Sequence, residues 1–192
     1  AEDPATQVTE VAQSTEEPSD EPAQVVPQPE KKLVADSSDQ KLSGILYVIN
    51  QKSNSISVID LAKKKSIGAI PVGFKPTSGF IDNNKLYIVN MGSATVSIID
   101  LAKNEVIASI ETDALSESVA VYRNNLFVTD SDDNYVRVYD LNTKHETKII
   151  SGEQPRYMIL DKDKGTLMTA NYASNDVSLI NANIKVPLGD VD

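Results

Sequence analysis

Short apolar runs of five or six residues, separated by polar turns, follow one another along most of the chain. Between residues 77 and 110 these runs are TSGFI, KLYIVN, TVSIID and EVIASI, and they are rich in the Val, Ile, Tyr and Thr that strands favour. KLYIVN is almost wholly apolar and predicts a strand buried on both faces, whereas the partly alternating TVSIID predicts a strand nearer the outside. The turns DNN, MGSA and AKN are too short for a crossover helix. The pattern therefore predicts a four-stranded antiparallel meander.

The same pattern occurs four times. The segments LYVINQKSNSISVID, LYIVNMGSATVSIID, LFVTDSDDNYVRVYD and LMTANYASNDVSLIN begin at leucines spaced by 40, 40 and 41 residues. A four-stranded sheet cannot bury both faces alone, so repeats of this length predict β-propeller blades that stack on their neighbours. The WD40 class is disfavoured because the chain has no Trp and one His. The expected blades cover about residues 41–71, 72–110, 111–150 and 151–192.

These segments resemble the YVTN-type (YncE-like) β-propeller repeat, in which a Tyr-Val-Thr-Asn strand is followed by a short loop and a Val-Ser-Val-Ile-Asp strand. VGFKP at 72–76 and GEQP at 152–155 are similar to the Gly-x-x-Pro link between blades of that family. The resemblance covers about residues 45–189 and implies an all-β fold of four-stranded antiparallel blades. The third copy departs from it, because ETDALSES at 111–118 replaces the Gly-x-x-Pro link.

Four repeats are fewer than the ring of about seven blades that the resemblance implies. Three arrangements are open: part of a longer propeller, which we favour, a half-ring that closes with a second copy to give eight blades, or a four-bladed ring. In the first two, a terminal blade exposes an apolar face in the single chain. Such a face is a site of self-association.

The first 40 residues differ from the repeats in composition. They hold five of the nine prolines, ten acidic residues and two basic ones, so that they carry a net charge of −8 and the repeats only −2. This composition predicts a disordered acidic tether. The chain begins AEDPATQ, without Met, as a mature form would after removal of a leader. An acidic, Pro-rich spacer at the start fits an exported or surface-anchored protein, and a chain without Cys tolerates an oxidising compartment. We expect a periplasmic, cell-surface or extracellular location without a transmembrane span, and a membrane tether through the N-terminus fits the same pattern.

Candidate metal and catalytic chemistry is sparse. DSDDN places Asp130, Asp132 and Asn134 at positions 1, 3 and 5 of a calcium loop, but Tyr135 stands where that loop requires Gly. We therefore expect a loop of solvated carboxylates and keep these three residues as weak metal candidates. His145 precedes an outer strand, where a lone His is normally solvated, and no Gly-x-Ser-x-Gly motif accompanies it. No catalytic residue and no cofactor are expected.

Nucleic acid is not an expected partner. The basic run Lys63–Lys65 falls in an outer turn, and the chain carries a net charge of −10, which opposes binding to a polyanion.

Propellers bind at the end of the ring where the loops entering the innermost strands meet the loops that follow the second strands. In this chain those loops are 73–77, 113–117 and 152–157, together with 51–54, 91–94, 131–134 and 172–175. The sequence favours a non-catalytic exported scaffold that binds a protein partner or a small-molecule ligand there. A lactonase-like propeller hydrolase and a structural subunit of a membrane-associated complex are the alternatives. The candidate binding residues are Lys75, Met91, Asp132, Arg156, Tyr157 and Tyr172.

Overall fold

The computed structural model describes residues 43–112 and 115–191, and the predicted tether at residues 1–40 lies outside them. Within these ranges, no helix is long and apolar enough to cross a bilayer. A single 3-10 turn, Met91–Ser93, is the one helical element of the described residues. The strands are β1 (Ile45–Asn50), β2 (Ser55–Asp60), β3 (Lys65–Pro71), β4 (Pro76–Asp82), β5 (Lys85–Asn90), β6 (Thr95–Asp100), β7 (Glu105–Glu111), β8 (Val119–Tyr122), β9 (Asn125–Asp130), β10 (Tyr135–Asp140), β11 (Glu146–Ile150), β12 (Pro155–Asp161), β13 (Thr166–Asn171), β14 (Asp176–Asn181) and β15 (Val186–Val191).

The strands form four antiparallel sheets in chain order. Blade 2 (β4–β7), blade 3 (β8–β11) and blade 4 (β12–β15) each have four strands, and blade 1 (β1–β3) has three within the described residues. The expected four-stranded antiparallel blade is therefore confirmed in blades 2, 3 and 4. The residues preceding β1 that would supply a fourth strand to blade 1 fall largely outside the described ranges.

The turn between the third and fourth strands of each blade is built on one side chain. In blade 2, Asp100 Oδ1 accepts hydrogen bonds from the backbone N–H groups of Ala102 at 2.8 Å and Lys103 at 3.2 Å. Asn104 then adopts a left-handed conformation with φ 55°, which Asn tolerates better than most residues. The in-phase acidic or amide position of the repeat is therefore a turn-forming position. Its equivalents are Asp60, Asp140 and Asn181.

The core consists of three apolar clusters, each lying between two adjacent blades. Ile56 and Val58 of blade 1 pack against Leu86, Ile88 and Ile99 of blade 2. A second cluster joins blades 2 and 3, and a third joins blades 3 and 4. Each blade is thus stabilised mainly by its neighbours, as the repeat pattern predicts.

Position in the stack, and not local sequence alone, decides how deeply a strand is buried. TVSIID is third from the inner edge of blade 2, yet Val96 and Ile98 pack on blade 3 while Ile99 packs on blade 1. The strand order confirms that this strand lies nearer the outside than KLYIVN. Its burial was not expected, because all four of its interior residues are buried. In contrast, no residue of β1 is buried, although ILYVIN closely matches KLYIVN of β5, whose last five residues are all buried.

Candidate functional site

The predicted binding end is held together by hydrogen bonds between loops of neighbouring blades. Asn54, at the end of the β1–β2 loop, accepts the N–H of Lys75 on its Oδ1 at 2.9 Å. Lys75 in turn accepts the N–H of Met91 on its backbone oxygen at 3.1 Å. The two contacts fix the link that enters blade 2 between a loop of blade 1 and a loop of its own blade.

The entry to blade 4 repeats this arrangement. Asn134 Oδ1 accepts the N–H of Gln154 at 2.9 Å, and the backbone oxygen of Gln154 accepts the N–H of Tyr172 at 2.9 Å. We call Asn54 and Asn134 the clasp asparagines, because each ties its own blade to the link of the next blade. Ala94 occupies the same position in blade 2 and has no side-chain oxygen with which to make this contact.

The glycine of each Gly-x-x-Pro link is required by the crowding of these loops. A Cβ on Gly73 would lie 2.5 Å from Ser93 Oγ and 2.7 Å from Asn90 Cγ, and one on Gly152 would lie 2.5 Å from Asn171 Nδ2. Any larger residue would push the link away from the loop on which it rests. The link motif therefore follows from packing at the binding end.

Residues of all four blades border a cavity at this end, which we call the axial cavity. It has a volume of about 340 Å³. Within the described residues, no acidic side chain forms an ion pair with Lys75, whereas Glu117 lies 3.7 Å from Arg156 Nε. The axial cavity is therefore lined by one cation, Lys75, that has no carboxylate partner among the described residues. It is also lined by one carboxylate, Glu117, whose charge Arg156 partly neutralises. Its lining residues are Gln51, Lys75, Thr77, Met91, Glu117 and Tyr157.

A second depression adjoins the axial cavity on blade 4 and shares Tyr157 with it. The Arg156 guanidinium lies 4.0 Å from the centre of the Tyr172 ring, within the range of a cation–π interaction. Arg156 Nε is buried and has no hydrogen-bond partner. Tyr157 and Tyr172 are 67% and 64% exposed, so this depression presents two open aromatic faces.

Neighbouring side chains lower the pKa of a carboxylate at the rim of this second depression. Asp176 Oδ1 accepts hydrogen bonds from Asn171 Nδ2 at 2.7 Å and from Ser174 Oγ at 2.8 Å. These two bonds, of which the one from Asn171 is the stronger influence, hold the pKa of Asp176 below its ordinary value. The group is therefore ionised at neutral pH and adds negative charge beside Arg156.

Five of the six candidate residues line these two depressions. Lys75, Met91 and Tyr157 border the axial cavity, and Arg156 and Tyr172 join Tyr157 in the depression beside it. Asp132 is exposed and borders neither. Sequence reasoning overlooked Ala170, Asn171 and Asp176 in the second depression. It also overlooked three residues that line the axial cavity, although all three belong to the loops that it selected. These are Gln51, Thr77 and Glu117.

The acidic loop differs from its prediction. Asp130 is 1% exposed, and its Oδ2 accepts a hydrogen bond from Arg137 Nε at 2.6 Å. The expectation of solvated carboxylates is therefore wrong for Asp130, which is buried in an ion pair. Asn134 Oδ1 is already engaged as a clasp acceptor. Within residues 43–112 and 115–191, no group of three or more His, Cys, Asp or Glu side chains is placed to hold a metal ion.

His145 and the basic run lie in outer turns. The backbone oxygen of His145 accepts the N–H of Asp140 at 2.9 Å, and the side chain is exposed. Lys63 forms a surface ion pair with Asp60 at 2.9 Å. Both features therefore border turns between the third and fourth strands and line neither depression.

No protein-family profile matches the chain, and no curated protein matches it in sequence. Solved structures match its fold. Hydrazine synthase of Kuenenia stuttgartiensis has a TM-score of 0.69 at 21% identity, over 77% of this chain and 45% of that chain. Hsv2 of Kluyvelomyces marxianus, and KlHsv2 with loop 6CD replaced by a Gly-Ser linker, both have TM-scores of 0.58 at 10% identity. They cover 77% of this chain and 48% and 49% of their own.

At these identities the likeness concerns the fold alone. The matched structures are propeller-like, and the chain spans about half the length of each of them. Together with the stacked antiparallel blades, this likeness confirms the all-β propeller fold that the repeats predict.

Proposed function

We propose that this chain is a non-catalytic, exported β-propeller module that binds a carboxylate-bearing ligand or peptide end in the axial cavity. The observation that carries the proposal is the convergence of side chains from all four blades on one cavity of about 340 Å³. Clefts of this size with a few convergent polar groups are the usual form of a small-molecule or peptide site.

Lys75 points to the class of ligand. It lines the axial cavity and has no acidic partner within the described residues. A ligand carboxylate would gain a charge-assisted hydrogen bond from Lys75, while Tyr157 offers an exposed aromatic surface to the rest of the ligand.

The non-catalytic and exported parts of the proposal rest on other features. His145, the one histidine, borders an outer turn, so the cavity has no imidazole to act as a general base. The acidic, Pro-rich first 40 residues support an exported location, and a chain without Cys is compatible with an oxidising compartment. The YVTN-type assignment belongs to the same proposal and is supported by the strand and link sequences.

Binding can be tested by NMR with succinate and with an alanine tetrapeptide prepared as the free acid and as the C-terminal amide. We expect saturable shifts of the Lys75, Met91 and Tyr157 amides with one or both carboxylate probes and none with the amide. Saturable shifts with succinate alone would indicate a small-molecule site. Saturable shifts with the free-acid peptide would indicate a site for a peptide C-terminus. Lys75→Gln should weaken binding about tenfold, the value of one charge-assisted hydrogen bond.

Lys52→Gln is the matched control. Lys52 is an exposed lysine in the β1–β2 loop at the same end of the blades, but it does not line the cavity. It should leave the affinity unchanged. Equal weakening by the two variants, or no saturable shift at the cavity with either carboxylate probe, would contradict the proposal.

A further inference from the structure

The axial cavity carries two charges of opposite sign on segments of different blades. Lys75 belongs to the link that enters blade 2, and Glu117 belongs to the segment that enters blade 3. Thr77 Oγ1 donates a hydrogen bond to the backbone oxygen of Glu117 at 3.2 Å, so the two segments lie side by side. Thr77 stands two residues after Lys75, and their Cα atoms are therefore at most about 7 Å apart. The cation and the carboxylate are thus within reach of one small ligand.

Hydrogen bonds from neighbouring loops fix the backbone of both charged residues. Lys75 has a left-handed conformation with φ 56°, which a non-Gly residue adopts only where its surroundings impose it. The contacts of its N–H with Asn54 and of its oxygen with Met91 impose it here. The N–H of Glu117 donates to Thr129 Oγ1 at 3.3 Å. Both charges are therefore carried by backbone that is in place before a ligand arrives, which lowers the entropic cost of binding.

Glu117 is not saturated by its basic neighbour. Its carboxylate lies 3.7 Å from Arg156 Nε, which is longer than a hydrogen bond, and the Arg156 guanidinium stacks on the Tyr172 ring instead. Tyr157 lines the same cavity and is 67% exposed. A carboxylate together with an open aromatic ring is a combination that attracts an ammonium group through ionic and cation–π interactions.

We propose that the axial cavity selects a zwitterion: an amino acid whose carboxylate binds Lys75 and whose ammonium group binds Glu117 and Tyr157 across a short aliphatic chain. This inference rests on the proposed function and names the class of its ligand. A dicarboxylate would bring a second negative charge to Glu117, and a diamine would bring a second positive charge to Lys75. A zwitterion complements the cavity at both ends, and such complementarity excludes ligands of like charge.

NMR titration of the full chain with ligands that differ only in their end groups tests this proposal. Succinate, γ-aminobutyrate and putrescine share one chain of four carbons, and adipate, ε-aminocaproate and hexamethylenediamine share a chain of six carbons for a wider spacing of the charges. In at least one of the two sets, we expect the amino acid to bind about tenfold more tightly than the dicarboxylate and the diamine. This factor corresponds to one additional charge-assisted hydrogen bond.

Two variants separate the two ends of the ligand. Glu117→Gln keeps the size of the side chain and removes its charge, so the preference for the amino acid over the dicarboxylate should disappear. Lys75→Gln should instead remove the preference for the amino acid over the diamine. Glu153→Gln is the matched control, because Glu153 is exposed in the link that enters blade 4 at the same end but does not line the cavity. This control should leave the order of the affinities unchanged.

The outcomes distinguish this inference from the proposed function. Saturable shifts at the cavity with succinate or the free-acid peptide, but no preference for the amino acid of either length, would overturn the zwitterion assignment and leave the proposed function standing. A preference that Glu117→Gln and Glu153→Gln change equally would do the same. The absence of saturable shifts at the cavity with every one of these ligands would overturn both.

Discussion

Blade 3 differs from the other three blades in the polar pair that joins its second and third strands. In blades 1, 2 and 4 an Asn amide donates to a Ser hydroxyl seven residues later, at 2.8 to 2.9 Å. In blade 3 the same two positions hold Asp130 and Arg137, whose Nε–Oδ2 distance is 2.6 Å. The backbone register of the two strands is the same in blades 2 and 3.

The substitution brings further charges with it. Arg137 Nη1 also donates to Glu146 at 2.6 Å and Nη2 to Asp133 at 3.1 Å, while Lys148 lies 3.4 Å from Asp133. A neutral hydrogen bond has thus been replaced by a charged network on the same backbone. Because both positions differ together, each blade keeps a hydrogen-bonded pair, and a mismatched pair would leave a buried charge alone.

Removing the arginine alone should have the largest effect. Arg137→Ser leaves Asp130, which is 1% exposed, without its ionic partner, and we expect the free energy of unfolding to fall by about 3–5 kcal/mol. Urea denaturation measures the loss. Arg123→Ser, at an exposed turn position of the same blade, is the control and should change stability by less than about 0.5 kcal/mol. Equal losses of unfolding free energy in the two variants would show that the buried Asp130–Arg137 pair contributes no more to stability than an exposed arginine.

Restoring the pair of the other blades should recover most of that loss. The double variant Asp130→Asn/Arg137→Ser recreates the Asn–Ser pair, and we expect its stability to lie within about 1 kcal/mol of the parent chain. A double-mutant cycle with Asp130→Asn gives the coupling energy directly. Additive losses would mean that the backbone of blade 3 no longer accepts the neutral pair.

A smaller difference separates the outer turns of blades 3 and 4. Asp140 in blade 3 accepts backbone N–H bonds from Thr143 and Asn142, which, in that order, hold its pKa below the ordinary value. Its contribution to stability is therefore present above the ordinary pKa of about 3.9 and is lost as pH falls through the lowered pKa.

Asn181 fills the same turn position in blade 4 without a titrating group. Asp140→Asn should therefore make the unfolding free energy fall less steeply below about pH 4, as followed by urea denaturation at a series of pH values. Asp132→Asn, which changes an exposed carboxylate that accepts no hydrogen bond within the described residues, is the control. An unchanged slope in Asp140→Asn would contradict the role of the turn.

The repeat made most of the fold predictable, because the in-phase leucines and turn residues mark strands and loops independently of their surroundings. The loops of the binding end followed from the same alignment, and with them Lys75, Met91 and Tyr157. The burial of Asp130 could not be foreseen, since it depends on Arg137 lying across a strand pair. The two lining residues Thr77 and Glu117 carry no local signal, because their importance arises only when blades 2 and 3 meet.

The Asp130–Arg137 pair also has a genetic consequence. The two partners lie seven codons apart, on two adjacent strands of one blade, so an exchange of sequence between repeats could include one of them without the other. An exchange that ends between them would set Asp against Ser, or Asn against Arg, in a buried position. Exchanges that include both codons, or neither, preserve a matched blade. The third repeat can therefore acquire the polar pair of its neighbours without a buried mismatch only when both codons change together.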